Sequence, residues 1–211
     1  MLGTYDDWKQ SNWDKAHSES DVSALTGTGL GGHLATLEVE RLLTPESTVL
    51  CIGVGMGDWV NDASKIAAKV WALDVSYLAK KKLGESIEFV TDPKRLGSDN
   101  FDLAMSLWVA PHMNNRDLRY QLGEVIRALK PGGTFAIHYK EPLDPKTIPD
   151  NKEGTQSESA VARAANMQRT RANFCLMVEH AGGYVREFTN ERPSQFHGIV
   201  EVVAHITKGA N

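Results

Sequence analysis

The sequence predicts an α/β protein: one mostly parallel sheet with helices on both faces. Three observations carry this. Short apolar runs alternate with segments of helical period from STVLCIGVG onward. Those runs are almost continuously apolar, as strands covered on both faces are. A glycine-rich turn follows the first of them. With 211 residues, one domain and an accessory segment fit, but no second domain of full size.

From Asp6 to His17 the chain is polar around Trp8 and Trp13, and a helix is expected. TGTGLGG (Thr26 to Gly32) should break regular structure and hinge this piece to the rest. Leu34, Leu37, Arg41 and Leu42 then recur at helical spacing, predicting a helix that ends near Pro45. Residues 1–32 are thus read as a helical lid and 33–211 as the domain. STVLCIGVG, VWALDV, IEFVTD, NFDLAMSLWVA and TFAIHYK read as five strands, with helices after the first and before the fifth. Pro142, Pro145 and Pro149 mark residues 141–156 as a loop or lid. A long helix is expected from Ser157 to about Ala181, stopped by Gly182 and Gly183, with two closing strands after it.

Composition narrows the function. Lys and Arg number 23 against 27 Asp and Glu, a net charge of −4, which gives no electrostatic footprint for nucleic acid. Cys51 and Cys175 match no zinc spacing, and both sit in apolar runs where thiols pack as small hydrophobes. No apolar run approaches a membrane span and no leader is read at the N-terminus, so a cytoplasmic protein is expected.

The informative constellation is VLCIGVGMGDWV. Gly53, Gly55 and Gly57 stand between a strand and a helix, where glycine permits a sharp turn and close backbone approach to a ligand. Asp74 ends the next strand, 21 residues after Gly53, where a carboxylate can accept the hydroxyls of a ribose. Together they predict a nucleoside-containing cofactor. A nicotinamide fingerprint would have its third glycine where this chain has Asp58, and no phosphate-loop motif occurs.

These motifs resemble, in order, those of the class I S-adenosylmethionine-dependent methyltransferases. The likeness runs from about Leu34 to Thr207: VLCIGVGMG, VWALDVS, FVTD, FDLAMSLWVAPHM, RALKPGGTFAI and AGGYV. It implies a Rossmann-like seven-stranded sheet of order 3-2-1-4-5-7-6. It further implies S-adenosylmethionine as cofactor, with S-adenosylhomocysteine as product. Gly53, Gly55, Gly57, Asp74, Val75, Asp92 and Ser106 would bind the cofactor, and Trp13 would close over it from an entry helix. Two positions depart from the family. Cys51 stands where an acid is usual, and Pro93 removes a backbone donor after Asp92.

The resemblance implies methyl transfer to an oxygen or nitrogen of a small molecule. The acceptor would lie above strands four and five, against Trp108, His112 and Tyr139, with His112 and His138 as candidate bases. Neither the Asn/Asp-Pro-Pro-aromatic run of nucleobase and amide enzymes nor a Pro-Cys nucleophile is present, and no acidic metal ligands follow strand four. The expectation is therefore a metal-independent enzyme, monomer or homodimer, with no nucleic-acid or membrane partner. Rival readings are a degenerate cofactor- or partner-binding module of the same fold, an NAD-linked enzyme, and methylation of RNA or protein.

Overall fold

The structure, a computed structural model, describes residues 13–15, 18, 29–144, 146, 167–194 and 198–209. Seven strands form one sheet: β1 (Thr48–Ile52), β2 (Lys69–Leu73), β3 (Glu88–Val90), β4 (Phe101–Ser106), β5 (Leu129–Pro142), β6 (Gly183–Pro193) and β7 (Ile199–Lys208). Their order is β3-β2-β1-β4-β5-β7-β6. The first five are parallel neighbours, and β7 runs antiparallel between β5 and β6. The expected order and mixed character of the sheet both hold.

Among the described residues, helices α1 (Leu30–Leu37), α2 (Asp58–Ala63), α3 (Asn115–Ala128) and α4 (Arg171–His180) cover it. Side chains alternate across each strand, and this divides the core. Leu50, Ile52, Phe135 and Ile137 pack with Leu118 and Val125 of α3 and Phe174 of α4. Val49, Cys51, Leu103, Met105 and Ala136 face the other way, onto α1 and Trp59 and Val60 of α2. Burying each Leu, Ile or Phe stabilises by about 1.5–3 kcal/mol, so the apolar strand runs account for the layered form.

Local chemistry sets the boundaries. The Asn114 side chain accepts from Asp117 N at 2.8 Å and starts α3, which ends at Ala128, ahead of Pro131. Helix α1 begins at Leu30, inside the stretch expected to be loop and three residues before the expected domain boundary. Its Leu30 is buried against the core, and burial outweighs the two glycines that follow. The helix stops at Leu37 because Glu38 turns left-handed, and only a 3-10 turn, Glu40–Leu42, continues toward Pro45. Strand β5 runs through Glu141 and Pro142, which the sequence assigned to the following loop.

The long helix expected from Ser157 is corrected at its described end. Residues 167–170 are not helical; Arg169 N bonds to Lys140 O at 2.8 Å, and Thr170 caps α4, which is only ten residues long. Of the expected N-terminal helix, residues 13–15 and 18 are described and helical; Trp8 and His17 lie outside the described residues.

Candidate active site

The C-terminal ends of β1, β2, β4 and β5 converge, which is where open α/β sheets place their ligands. After β1, Gly53, Gly55 and Gly57 all have positive φ (79°, 57° and 88°), a region that side chains other than glycine's rarely enter. A Cβ on Gly53 would lie 2.4 Å from Val109 Cγ2, so the loop passes hard against the segment after β4. From α2, Trp59 donates its indole N–H to Val54 O at 3.1 Å and holds the loop from below. His33 of α1 stacks on that indole at 4.2 Å.

Asp74 lies just past β2. Its Oδ2 accepts from Val54 N at 2.8 Å and its Oδ1 from Ser76 N at 2.9 Å. The carboxylate thus ties the glycine loop to the second strand. Enclosure of the carboxyl pushes its pKa up to about 6; the two backbone donors oppose the rise and nearby Asp14 adds to it. Val75 follows, half-buried. Ser76 Oγ donates to Asp14 Oδ1 at 2.6 Å. Beside Asp14, Trp13 sets its ring edge-on to His112 at 5.2 Å. Residues 13 and 14 therefore reach from the end of β2 to the segment after β4.

Ser106 ends β4, fully buried, and its hydroxyl has no hydrogen-bond partner among the described residues. Two residues on, Trp108 adopts φ 63°, a left-handed geometry that costs a bulky residue roughly 1–2 kcal/mol. Its ring lies over His138 of β5, centroids 4.3 Å apart. His138 is 1% exposed, and neither ring nitrogen has a hydrogen-bond partner among the described residues. Burial, then the Lys140 charge, pushes His112 down to about 4 and His138 to about 3, so both imidazoles are neutral at physiological pH.

One sequence expectation changes here. Tyr139 is not at the site. Strand alternation turns it to the opposite face, where it stacks on Phe174 at 4.0 Å and donates its hydroxyl to Glu141. Glu141 in turn holds Arg171 at 3.1 and 3.2 Å. Asp92 is exposed; its Oδ1 accepts from Lys94 N at 3.0 Å and Tyr120 Oη at 2.8 Å, capping the Pro93–Leu96 turn and lowering its pKa. Cys51 points into the α1/α2 side of the core, and burial raises its thiol far above the usual range, leaving it inert.

The sequence reading missed three residues. Lys140 lies two positions from His138, hence on the same face, with Nζ 5.9 Å from the Trp108 ring centre; strand period alone could have found it. Asp14 is Trp13's neighbour. Buried Arg169 had no signal, because it sits in what reads as helix. Its guanidinium donates to Ala110 O at 3.1 Å, to Met113 O and to Asn115 Oδ1 at 3.1 Å, clamping both sides of His112. Among the described residues no group of three or more His, Cys, Asp or Glu could hold a metal ion, and no helix is long and apolar enough to cross a membrane.

A glycine loop under an acid at the end of β2, within this strand order, defines a Rossmann-like domain of class I methyltransferase type. Residues 50–137 match the family model described as "Methyltransferase domain". A curated wheat (Triticum aestivum) protein, Phosphoethanolamine N-methyltransferase 1, is 32% identical over 102 residues. That match covers 43% of this chain and 20% of the wheat protein, so the chain spans about a fifth of its relative's length. Among solved structures, NodS, an N-methyltransferase from Bradyrhizobium japonicum in complex with S-adenosylhomocysteine, has a TM-score of 0.67 at 13% identity, covering 96% of this chain and 99% of that one. The Burkholderia thailandensis 1,6-didemethyltoxoflavin-N1-methyltransferase, bound to its substrate and S-adenosylhomocysteine, has a TM-score of 0.63 at 16% identity, covering 100% and 92%. Residues 50–137 thus match a methyltransferase domain, and the fold is that of the class I S-adenosylmethionine-dependent methyltransferases.

Proposed function

We propose that the protein transfers a methyl group from S-adenosylmethionine to an oxygen or nitrogen of a small molecule. The observation that carries this is the Asp74 carboxylate, fixed by Val54 N and Ser76 N beside a loop of three positive-φ glycines. Two features fit a nucleoside cofactor there. Gly53 leaves no room for a side chain against Val109, and Ser106 offers a buried hydroxyl without a partner.

Gly53, Gly55 and Gly57 would cradle the amino-acid end, and Asp74 would accept from the ribose hydroxyls with Val75 beside it. Asp92 has Oδ2 to offer the adenine end, its Oδ1 being engaged by Lys94 and Tyr120. Trp13, held over the site through Asp14 and Ser76, would exclude water. When bound, S-adenosylmethionine supplies an electrophilic methyl: the acceptor heteroatom's lone pair takes the carbon, the C–S pair stays on sulfur, and the acceptor's proton leaves to water.

The chain's own task is positioning, which supplies much of the rate of a displacement. Trp108, His112 and His138 would line the acceptor, and the two imidazoles serve as neutral hydrogen-bond partners, since their low pKa values make them weak bases. The didemethyltoxoflavin N1-methyltransferase neighbour, whose named substrate is a small molecule, supports this class of acceptor. The test is formation of S-adenosylhomocysteine by the pure protein, S-adenosylmethionine and a panel of small acceptors. Product above the acceptor-free rate, lost in Asp74→Ala, is expected. Binding of the cofactor with no turnover of any acceptor would favour the degenerate module instead.

A further inference from the structure

Trp108 and His138 are a pair in which each member is held at a cost. Trp108 sits at φ 63°. The other non-glycine residues at positive φ among the described residues have local reasons to be there. Glu38 ends α1, and Asp99 and Asn190 are of the types that tolerate the left-handed region. An indole has no such tolerance. Its strain persists because its surroundings are fixed. Before it, β4 runs to Ser106. After it, Val109 lies against Gly53 of the glycine loop, Val109 O accepts from His112 N at 2.9 Å, and Ala110 O accepts from Arg169 Nη1 at 3.1 Å.

His138 carries the second cost. Both its ring nitrogens are buried, and neither has a hydrogen bond among the described residues. Lys140, Arg192 and His112 act on it by charge, yet none gives it a hydrogen bond. A buried polar group left unpaired costs its full desolvation, and native proteins pair nearly all such groups. A neutral imidazole has one donor and one acceptor to satisfy.

The two costs meet at one contact. The Trp108 ring lies over the imidazole, centroids 4.3 Å apart and planes at 52°. His138 is fully enclosed on its strand, whereas Trp108 is only partly buried on its loop. The indole is therefore the member with room to move. Its departure removes both costs, because Trp108 can leave the left-handed region and His138 meets a polar partner. Strain that the surroundings hold in place is the usual mark of a switching element.

We infer that Trp108 is a gate on the acceptor side, shut over His138 in the arrangement above and opened by an acceptor that brings His138 a hydrogen bond. His138 thereby determines specificity: a molecule of the same shape with no polar group at that depth gains nothing by opening the gate. This deepens the methyltransferase reading and rests on it.

The experiment uses the full-length protein with 5-fluorotryptophan at its five tryptophans, saturated with S-adenosylhomocysteine. Fluorine NMR follows Trp108, whose line is assigned by its loss in Trp108→Phe. Exchange between a major and a minor Trp108 line is expected. His138→Phe and His138→Leu remove the nitrogens and fill the space; each should cut the minor share at least about tenfold. At least one of them should raise the melting point, the reverse of what most buried substitutions do. Pyrazole, a flat ring with one donor and one acceptor, should raise the minor share in the wild type but not in the His138 variants. Thiophene, a five-membered ring with no donor, should leave it unchanged in all. The inference is overturned by a Trp108 line free of exchange, by equal exchange in the wild type and both variants, by melting points lowered in both variants, or by pyrazole acting no better than thiophene. Failure to bind S-adenosylhomocysteine at all would instead overturn the methyltransferase reading, while the exchange and melting readouts, repeated without it, still decide the gate.

Discussion

Lowering the pH below 6 should weaken S-adenosylhomocysteine binding, by an amount that Asp74 fixes. The ribose needs an ionised acceptor, and enclosure holds this carboxyl near pKa 6. About nine-tenths is ionised at pH 7 and about one-eleventh at pH 5, so the dissociation constant should rise roughly tenfold, about 1.4 kcal/mol, between them. The sign is opposite in the free protein. A carboxyl whose folded pKa is raised favours folding most in acid, and that contribution falls as pH rises from its ordinary value through 6. The melting shift produced by ligand should therefore grow from pH 5 to 7. His112 and His138 titrate near 4 and 3, below this window, and do not confuse it. Calorimetric titration at half-unit steps from pH 5 to 8 reads the effect, with Asp74→Asn as control. A flat profile in the wild type, or the same slope in Asp74→Asn, would refute the assignment.

Three substitutions probe the rest of the site. Gly53→Ala places a Cβ 2.4 Å from Val109 Cγ2 at φ 79°; a left-handed cost of about 1–2 kcal/mol plus the clash should lower the melting point by several degrees and weaken S-adenosylhomocysteine at least tenfold. Ser76→Ala removes the hydroxyl bond to Asp14 but keeps the Ser76 N bond to Asp74; stopped-flow binding should show faster cofactor release with ribose recognition intact, a change of about tenfold at most. Arg169→Met strips a buried donor from Ala110 O and Met113 O, about 1–3 kcal/mol for each acceptor left unmade; the melting point and the acceptor's KM should both suffer while S-adenosylhomocysteine affinity, measured by calorimetry, holds.

Much of the sheet was legible because its signals are local. Strands buried on both faces are apolar throughout, and strand-end glycines and Asp74 declare a cofactor turn by spacing alone. Helix limits were less so. Leu30 enters a helix because its side chain finds the core, a tertiary gain that outweighs two glycines. The residues before α4 are drawn into extended pairing with Lys140, which no helical period reports. Tyr139 shows the limit of naming a whole strand end as a site: period two sends His138 and Lys140 one way and Tyr139 the other. Arg169 is legible only in three dimensions, because its value lies in carbonyls more than fifty positions away.

The most direct test of the central claim is isothermal titration of the full-length protein with S-adenosylhomocysteine at pH 7.5, beside NADH. Saturable binding of one S-adenosylhomocysteine per chain, lost in Asp74→Ala and matched by no heat from NADH, is predicted. Binding of NADH, or no heat from S-adenosylhomocysteine at millimolar concentration, would contradict it.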